Sequence, residues 1–390
     1  MRIAYIGCPF KTSYGTYIHS LKRAVEQRTG APIGWVASNC GCGDPIEQNR
    51  QFETQDCKYF EMPHIGGYES KVAFKRWLRG RARYYSYYFR ARRYQQLSQD
   101  TELVHLQQIL HAYGSCVAFQ WLQMPTSAAK VITIHELDAF QMCYPHKNAL
   151  YNRAGAIIAH CKEMKDKLIS LSVQPEKIHV IPHGVATPTD STDHPREGML
   201  FYGGHKLMSG KGIETLFEAL ALLKDRLGTG TPRLTIYGHY GPQAPQAALE
   251  LARKYGVSDR VTWLNQVSED EAAKLYLTSA LLVLPYTGSY AGLPAGLAAA
   301  HGVPVVGTDC AGIPDHLGDN FLRIEPGNAP QLADGLATAL GDGALRSTLA
   351  RKLKQRVAEH LSWDHVAART LEAYAFALGP RSSARALSGI

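Results

Sequence analysis

Residues 284–315 read LPYTGSYAGLPAGLAAAHGVPVVGTDCAGIPD. An apolar run ends at Leu284. A glycine-rich turn follows, then a helix of small residues, a second apolar run ending at Val306, and another glycine turn closing on Asp315. Gly288, Gly292 and Gly296 carry no side chain, so a ligand can approach the backbone closely there. A turn of this kind opening a helix presents unpaired N–H groups and a positive dipole end, which suit an anion. The stretch therefore reads as one strand–turn–helix–strand unit of a parallel sheet, with a binding edge at its glycine turn.

The same unit recurs outward in both directions. Apolar runs at residues 3–6, 33–36, 103–106, 131–134, 156–159 and 178–181 each end near a Gly, His or Pro and give way to a helical pattern. A second series occupies residues 199–202, 234–237, 261–264, 280–284 and 305–306. Continuous apolar strands alternating with helices predict parallel sheets covered on both faces. Two such series predict an α/β protein with two doubly wound domains. Residues 183–198 between them are rich in Pro, Thr and Asp without periodicity and read as the linker. The tail from Pro380 reads as a disordered end.

A chain of 390 residues exceeds one ordinary core. Apolar content of 45% is globular rather than disordered. No long apolar segment opens the chain, and no run is long enough for a membrane span, so a cytoplasmic protein is expected. The eight cysteines are scattered, which fits free thiols in a reducing compartment better than a disulfide framework. The formal charge of +8 favours anionic partners. Much of it is local, because residues 71–93 hold nine Lys and Arg and no acid. Phe74, Trp77, Tyr84, Tyr85, Tyr87, Tyr88 and Phe89 lie among them, with Tyr94 just beyond. On a helix this is the pattern of an interfacial surface, so peripheral contact with an anionic membrane is expected alongside the plainer reading of a solvated helix. Nucleic acid is not the expected partner.

Ligands of doubly wound sheets sit at the carboxyl ends of the strands. Histidine recurs at those ends, at His105, His135, His160 and His183. The strand ends are spread over two domains and no HxH or HxxxH unit occurs, so no metal site is expected from these histidines.

Taken together these landmarks resemble the retaining glycosyltransferases of family 4, with two Rossmann-like domains in the GT-B arrangement facing across a cleft. Ser13-Tyr14-Gly15-Thr16-Tyr17-Ile18-His19 looks like the family's Gly-Gly-x-x-x-His loop, with Tyr14 in place of the first glycine. Leu103-Val104-His105, the run Val131 to Leu137 around His135, and Val180-Ile181-Pro182-His183-Gly184-Val185 resemble successive strand ends of the first domain. His160 stands where the family usually has serine. In the second half, Leu200 to Gly204 with Lys211-Gly212, the segment 261–267, and Gly292-Leu293-Pro294 with residues 302–306 match in order and spacing. Leu361-Ser362-Trp363-Asp364 looks like the family's FSW. The resemblance implies an acceptor-binding domain over residues 1–187 and a nucleotide-sugar domain over 198–363. It also implies a helix over 364–379 returning to the first domain.

It further implies roles. Lys211 would neutralise the departing diphosphate, and His135 would contact the donor sugar or reaction centre. These two are the candidate catalytic residues. Donor contacts would come from Gly15, Thr16, Gly204, His205, Lys206, Gly238, Gln266, Val267, Ser289, Ala291, Gly292, Leu293 and Leu297. His19 and His105 would lie on the acceptor side. No cofactor is implied, only a UDP- or GDP-linked sugar as substrate and a glycan or lipid-linked acceptor.

One departure stands out. The family's Glu-x7-Glu signature threads onto Ser289 and Leu297, and no Asp or Glu occurs between Glu271 and Asp309. Losing two polar contacts of roughly 1–3 kcal/mol each weakens donor binding by a factor on the order of a hundred or more. The expectation is a retaining hexosyltransferase with an altered donor pocket. The alternative is a catalytically silent GT-B protein serving as scaffold, partner or sugar-nucleotide binder.

Overall fold

A computed structural model describes residues 1–7, 13–38, 56–60, 73–107, 112–135, 145–188, 195–204, 207–238, 245–265, 267–288 and 292–379. The chain divides into two compact units. One comprises Met1–Ile181 with Trp363–Ile390, the other Pro182–Ser362.

The first unit is built on seven parallel strands. They are β1 (Ile3–Gly7), β2 (Ile33–Ser38), β3 (Cys57–Phe60), β4 (Leu103–Gln107), β5 (Ala129–Ile134), β6 (Ala156–Ala159) and β7 (Ile178–Val180), in the order β3-β2-β1-β4-β5-β6-β7. The chain winds one way from β1 and the other way from β4, so the topological switch lies between these two strands. All five residues of β1 and of β4 are buried, as a sheet covered on both faces requires. The edge strand β3 escapes a search for apolar runs because only alternate residues face the core: Tyr59 is buried while Lys58 is exposed. Among the described residues the unit's helices before the last are α1 (Ser13–Thr29), α2 (Ala73–Leu97), α3 (Ala112–Gln123) and α4 (Lys162–Ser170).

The second unit has six parallel strands, β8 (Glu197–Tyr202), β9 (Leu234–Gly238), β10 (Val261–Asn265), β11 (Ser279–Leu284), β12 (Val305–Thr308) and β13 (Leu322–Ile324). Their order is β10-β9-β8-β11-β12-β13, with the switch between β8 and β11. Its helices are α5 (Ile213–Leu227), α6 (Gln246–Lys254), α7 (Glu269–Thr278), α8 (Leu293–His301), α9 (Ile313–Leu317), α10 (Ala329–Gly341) and α11 (Gly343–Arg356). In α5 the buried residues Ile213, Leu216, Phe217, Leu220 and Leu223 keep helical spacing, so one stripe packs on the sheet. In α8, Ala295, Ala298, Ala299 and Ala300 are buried. Small side chains let this helix lie close to its neighbours.

The last helix, α12 (Trp363–Leu378), belongs to the first unit. Val366, Ala367 and Tyr374 enter its core, Arg369 donates to the Val180 carbonyl at 2.7 Å, and Arg28 grips Asp364 with two bonds of 2.7 Å. The unit boundary falls at Ile181 and Pro182, just ahead of the Pro- and Thr-rich segment read as the linker.

Candidate active site

In the second unit three loops meet at the carboxyl edge of the sheet. The loop after β8 ends in Gly210-Lys211-Gly212. The carbonyl of Gly210 accepts from the N–H groups of Thr287 (2.9 Å) and Gly288 (3.1 Å), which follow β11. Gly212 has φ +67°, and a Cβ there would drive into the Pro285 carbonyl. Only glycine fits this close approach. Beyond β12, the hydroxyl of Thr308 donates to the Tyr286 carbonyl at 2.8 Å, and the Cys310 thiol donates to the same oxygen at 3.0 Å. These bonds fasten the segment after β11 on both sides.

Lys211 lies inside this arrangement. It is 5% exposed, so it is not the mobile surface cation expected of a loop lysine. Its Nζ sits 4.0 Å from the centre of the Tyr286 ring and 5.5 Å from that of Tyr202. Cation–π attraction of this kind is worth about 0.5–2 kcal/mol, more as water is excluded. Tyr286 is itself fully buried, and its hydroxyl donates to the Tyr202 carbonyl at 3.1 Å. The ammonium is thus held against a ring whose position is fixed.

The turn before α8 follows the sequence expectation in outline and narrows it in detail. Gly292 has φ +80° and caps the helix. A Cβ on it would strike the Gly312 carbonyl, and one on Gly296 would come within 2.7 Å of the His316 ring. Pro294 contributes no N–H, and the N–H groups of Ala295 and Gly296 reach back to the Gly292 carbonyl at 2.9 and 3.3 Å. Among the described residues, the outward donors of this turn are therefore Gly292 and Leu293. Leu293 is 40% exposed. Leu297 packs half-buried against the core, and its carbonyl accepts from His301 Nδ1 at 2.8 Å. Its side chain has no polar atom to offer.

His316, on α9, forms the floor beneath Gly292 and Gly296. A carbonyl can only accept, so the 2.7 Å contact to the Gly312 oxygen places the proton on Nδ1. Nε2 is then a bare acceptor, buried and with no hydrogen-bond partner among the described residues. Burial, then Arg356, lowers its pKa from 6.5 to about 4.

The remaining donor candidates are dispersed along the same edge. Gly204, with φ +59°, follows β8. Gly238 ends β9 and pairs in register with Asn265, the last residue of β10. Val267 is half-buried just before the Ser268–Glu271 capping box of α7. His205, Lys206, Gln266, Ser289 and Ala291 lie outside the described residues.

In the first unit the carboxyl edge holds a buried polar chain. His160 Nδ1 donates to the Ile181 carbonyl (3.0 Å), and His160 Nε2 lies 3.1 Å from His135 Nδ1. His135 Nε2 lies 2.9 Å from Gln107 Oε1. The amide nitrogen of Gln107 lies 3.3 Å from His105 Nε2 on the other side. Burial, then His160 and His105, holds the pKa of His135 well below the ordinary value. Tyr17 packs edge-on against both rings, at 5.2 and 5.4 Å.

His105 gives way as an acceptor-side residue. It is fully buried, and its nitrogens meet the Tyr374 hydroxyl and Thr133 Oγ1, both at 2.7 Å. Tyr374 passes the contact to Tyr5 at 3.0 Å. Burial, then His160, lowers the pKa of His105 to about 3. This histidine ties α12 to the sheet. His19 is exposed on α1, and Gly15 and Thr16 fall in the first turn of the same helix, where backbone N–H groups lack helical partners.

Against known proteins, residues 15–188 match the family model described as Glycosyltransferase Family 4. Residues 196–342 match the model described as Glycosyl transferases group 1. The chain belongs to glycosyltransferase family 4. It is 30% identical over 246 residues to a D-inositol 3-phosphate glycosyltransferase of Jonesia denitrificans, covering 57% of each chain. It is 27% identical over 216 residues to an MMP alpha-(1->4)-mannosyltransferase of Mycolicibacterium hassiacum, covering 54% of this chain and 51% of that one. The chain thus spans about half the length of the curated relatives it matches. Among solved structures, sucrose-phosphate synthase from Thermosynechococcus elongatus superposes with a TM-score of 0.71 at 19% identity, over 96% of this chain and 98% of that one. Two doubly wound parallel sheets with this likeness make the fold GT-B.

Sequence reasoning overlooked four residues that shape the two edges. Tyr202 and Tyr286 hold Lys211, Gln107 completes the His135 chain, and His316 supports the glycine turn. Tyr286 directly follows the Leu284-Pro285 strand end, and this placement was the available signal. The others depend on contacts far apart in the chain.

Proposed function

We propose that this chain transfers a hexosyl group from a UDP- or GDP-linked sugar to a glycan or lipid-linked acceptor, with retention at the anomeric carbon. The observation that carries the reading is the Lys211 ammonium, buried on the Tyr286 ring beside the glycine turn of α8. It lies at the carboxyl edge of the sheet, where doubly wound domains bind their ligands, and a leaving diphosphate is an anion that a lysine there can meet. Lys211 neutralises it, and the Gly292 and Leu293 amides bind its oxygens as charge develops. Gly238 and Val267 offer backbone atoms to the base, and Gly204 offers its own to the phosphates. We keep His135 as the residue for the donor sugar. To serve there, its Nε2 exchanges Gln107 for a sugar hydroxyl. The reading needs no cofactor.

A specific observation favours a second reading. Leu297 occupies the place the family resemblance gives to a carboxylate, and it is apolar and packed against the core. A GT-B protein so altered would bind a sugar nucleotide without turning it over. The test is nucleoside-diphosphate release across a panel of sugar nucleotides, with binding measured in parallel. Release with any donor supports transfer. Binding without release supports the second reading, and neither binding nor release contradicts both.

A further inference from the structure

The outer face of α2 carries a feature that glycosyl transfer does not use. Tyr87, Ala91, Tyr94 and Ser98 are buried, a run at helical spacing that faces the core of the first unit. Within that core the Tyr94 hydroxyl donates to the Gly7 carbonyl at 3.0 Å, fastening the helix to the end of β1. The opposite face is different in kind. Tyr85, Tyr88 and Phe89 are 53%, 37% and 51% exposed, and Arg81, Arg92 and Arg93 are exposed with them. At about 100° per residue, Arg81, Tyr85, Tyr88, Phe89 and Arg92 fall within an arc of about 100°, along a crest about 17 Å long. Three of the seven exposed large hydrophobic side chains among the described residues lie on this crest. No Asp or Glu occurs from Ser70 to Gln99, so no nearby acid on the helix offsets the arginines.

We propose that this crest docks the protein on the surface of an anionic phospholipid bilayer. The aromatic rings enter the headgroup layer and the flanking arginines meet lipid phosphates. The helix is long enough to lie along that surface. No helix among the described residues is long and apolar enough to cross a membrane, so the contact is peripheral. A single-stranded nucleic acid also uses aromatic and basic groups, but it tracks a groove. A helix crest is convex, and its rings project outward, which suits a fluid lipid surface better. The buried stripe anchors α2 in the core, so replacement of the exposed rings is directed at the surface role.

The test is co-sedimentation of the full-length chain with phosphatidylcholine vesicles, with and without phosphatidylglycerol, at low and high salt. The expected result is binding that requires phosphatidylglycerol and weakens with salt. Arg81→Gln, Arg92→Gln and Arg93→Gln combined lower the partition coefficient about a hundredfold. Tyr85→Ser, Tyr88→Ser and Phe89→Ser combined weaken the part of binding that resists salt. Both variants keep the wild-type affinity for nucleotide, so the outcome is separate from the catalytic reading. Absence of binding at low salt overturns the proposal, as does equal binding to neutral vesicles. Preference for a single-stranded oligonucleotide over anionic vesicles overturns it in favour of nucleic acid.

Discussion

Two charged or titratable side chains carry the account, and each is defined by the groups beside it. Lys211 is held by ring faces, so its Nζ is directed by packing. Tyr286 is then a positioning residue. Tyr286→Phe keeps the ring face and should alter nucleoside-diphosphate affinity by less than about threefold. Tyr286→Leu removes the cation–π contact, about 1–2 kcal/mol, and should weaken affinity about tenfold. Isothermal titration separates the two, and equal affinity in all three proteins would remove Tyr286 from the site. His135 was legible in the sequence as a histidine at a strand end. Its partners were not, because Gln107 and His160 reach it from different strands. His105 misled for the same reason. A strand-end histidine facing a ligand and one facing Tyr374 look alike until α12 is in place.

At the level of elements, the sequence was most informative where strands are fully buried. The runs ending at Ile6, Leu106, Ile134, Tyr202 and Leu284 all became strands, because burial on both faces leaves an unbroken apolar signal. The edge strands β3 and β13 left none, since each keeps a charged residue, Lys58 or Arg323, exposed. Glycine turns were legible as permissive backbone, but their neighbours were not. Gly212 shows why a glycine is needed at that position. It combines a left-handed backbone with the Pro285 carbonyl where a Cβ would stand. Gly212→Ala should cost about 3 kcal/mol or more. It should also detach the Lys211 loop from residues 285–288. A lowered melting midpoint together with lost nucleotide binding is the expected outcome, and an unchanged midpoint would show that the loop is not docked as described.

Across the whole molecule, buried histidines link stability to pH. His105 in the first unit and His316 in the second have folded pKa values lowered from 6.5 to about 3 and about 4. The folded state therefore refuses protons that the unfolded chain accepts. Above pH 6.5 both states are neutral at these residues and the contribution is fully present. As pH falls from there toward the folded values, stability is lost by up to about 1.4 kcal/mol per pH unit for each histidine. Thermal midpoints should decline steadily between about pH 6.5 and 4.5, and His105→Gln should flatten part of that decline. A flat profile over this range would contradict the buried, neutral state of both residues. The two-unit α/β architecture was readable from the two series of apolar runs. What the sequence left open was the state of the donor edge once Ser289 and Leu297 replace the family's carboxylates.

The central claim is that this edge still binds a nucleoside diphosphate through Lys211 and backbone amides. Calorimetric titration of UDP, GDP and ADP into the protein and into Lys211→Ala tests it most directly. The account predicts measurable binding of at least one nucleotide, weakened tenfold or more, about 1.4 kcal/mol, in the variant. No binding by any of the three, or equal affinity in both proteins, would contradict it.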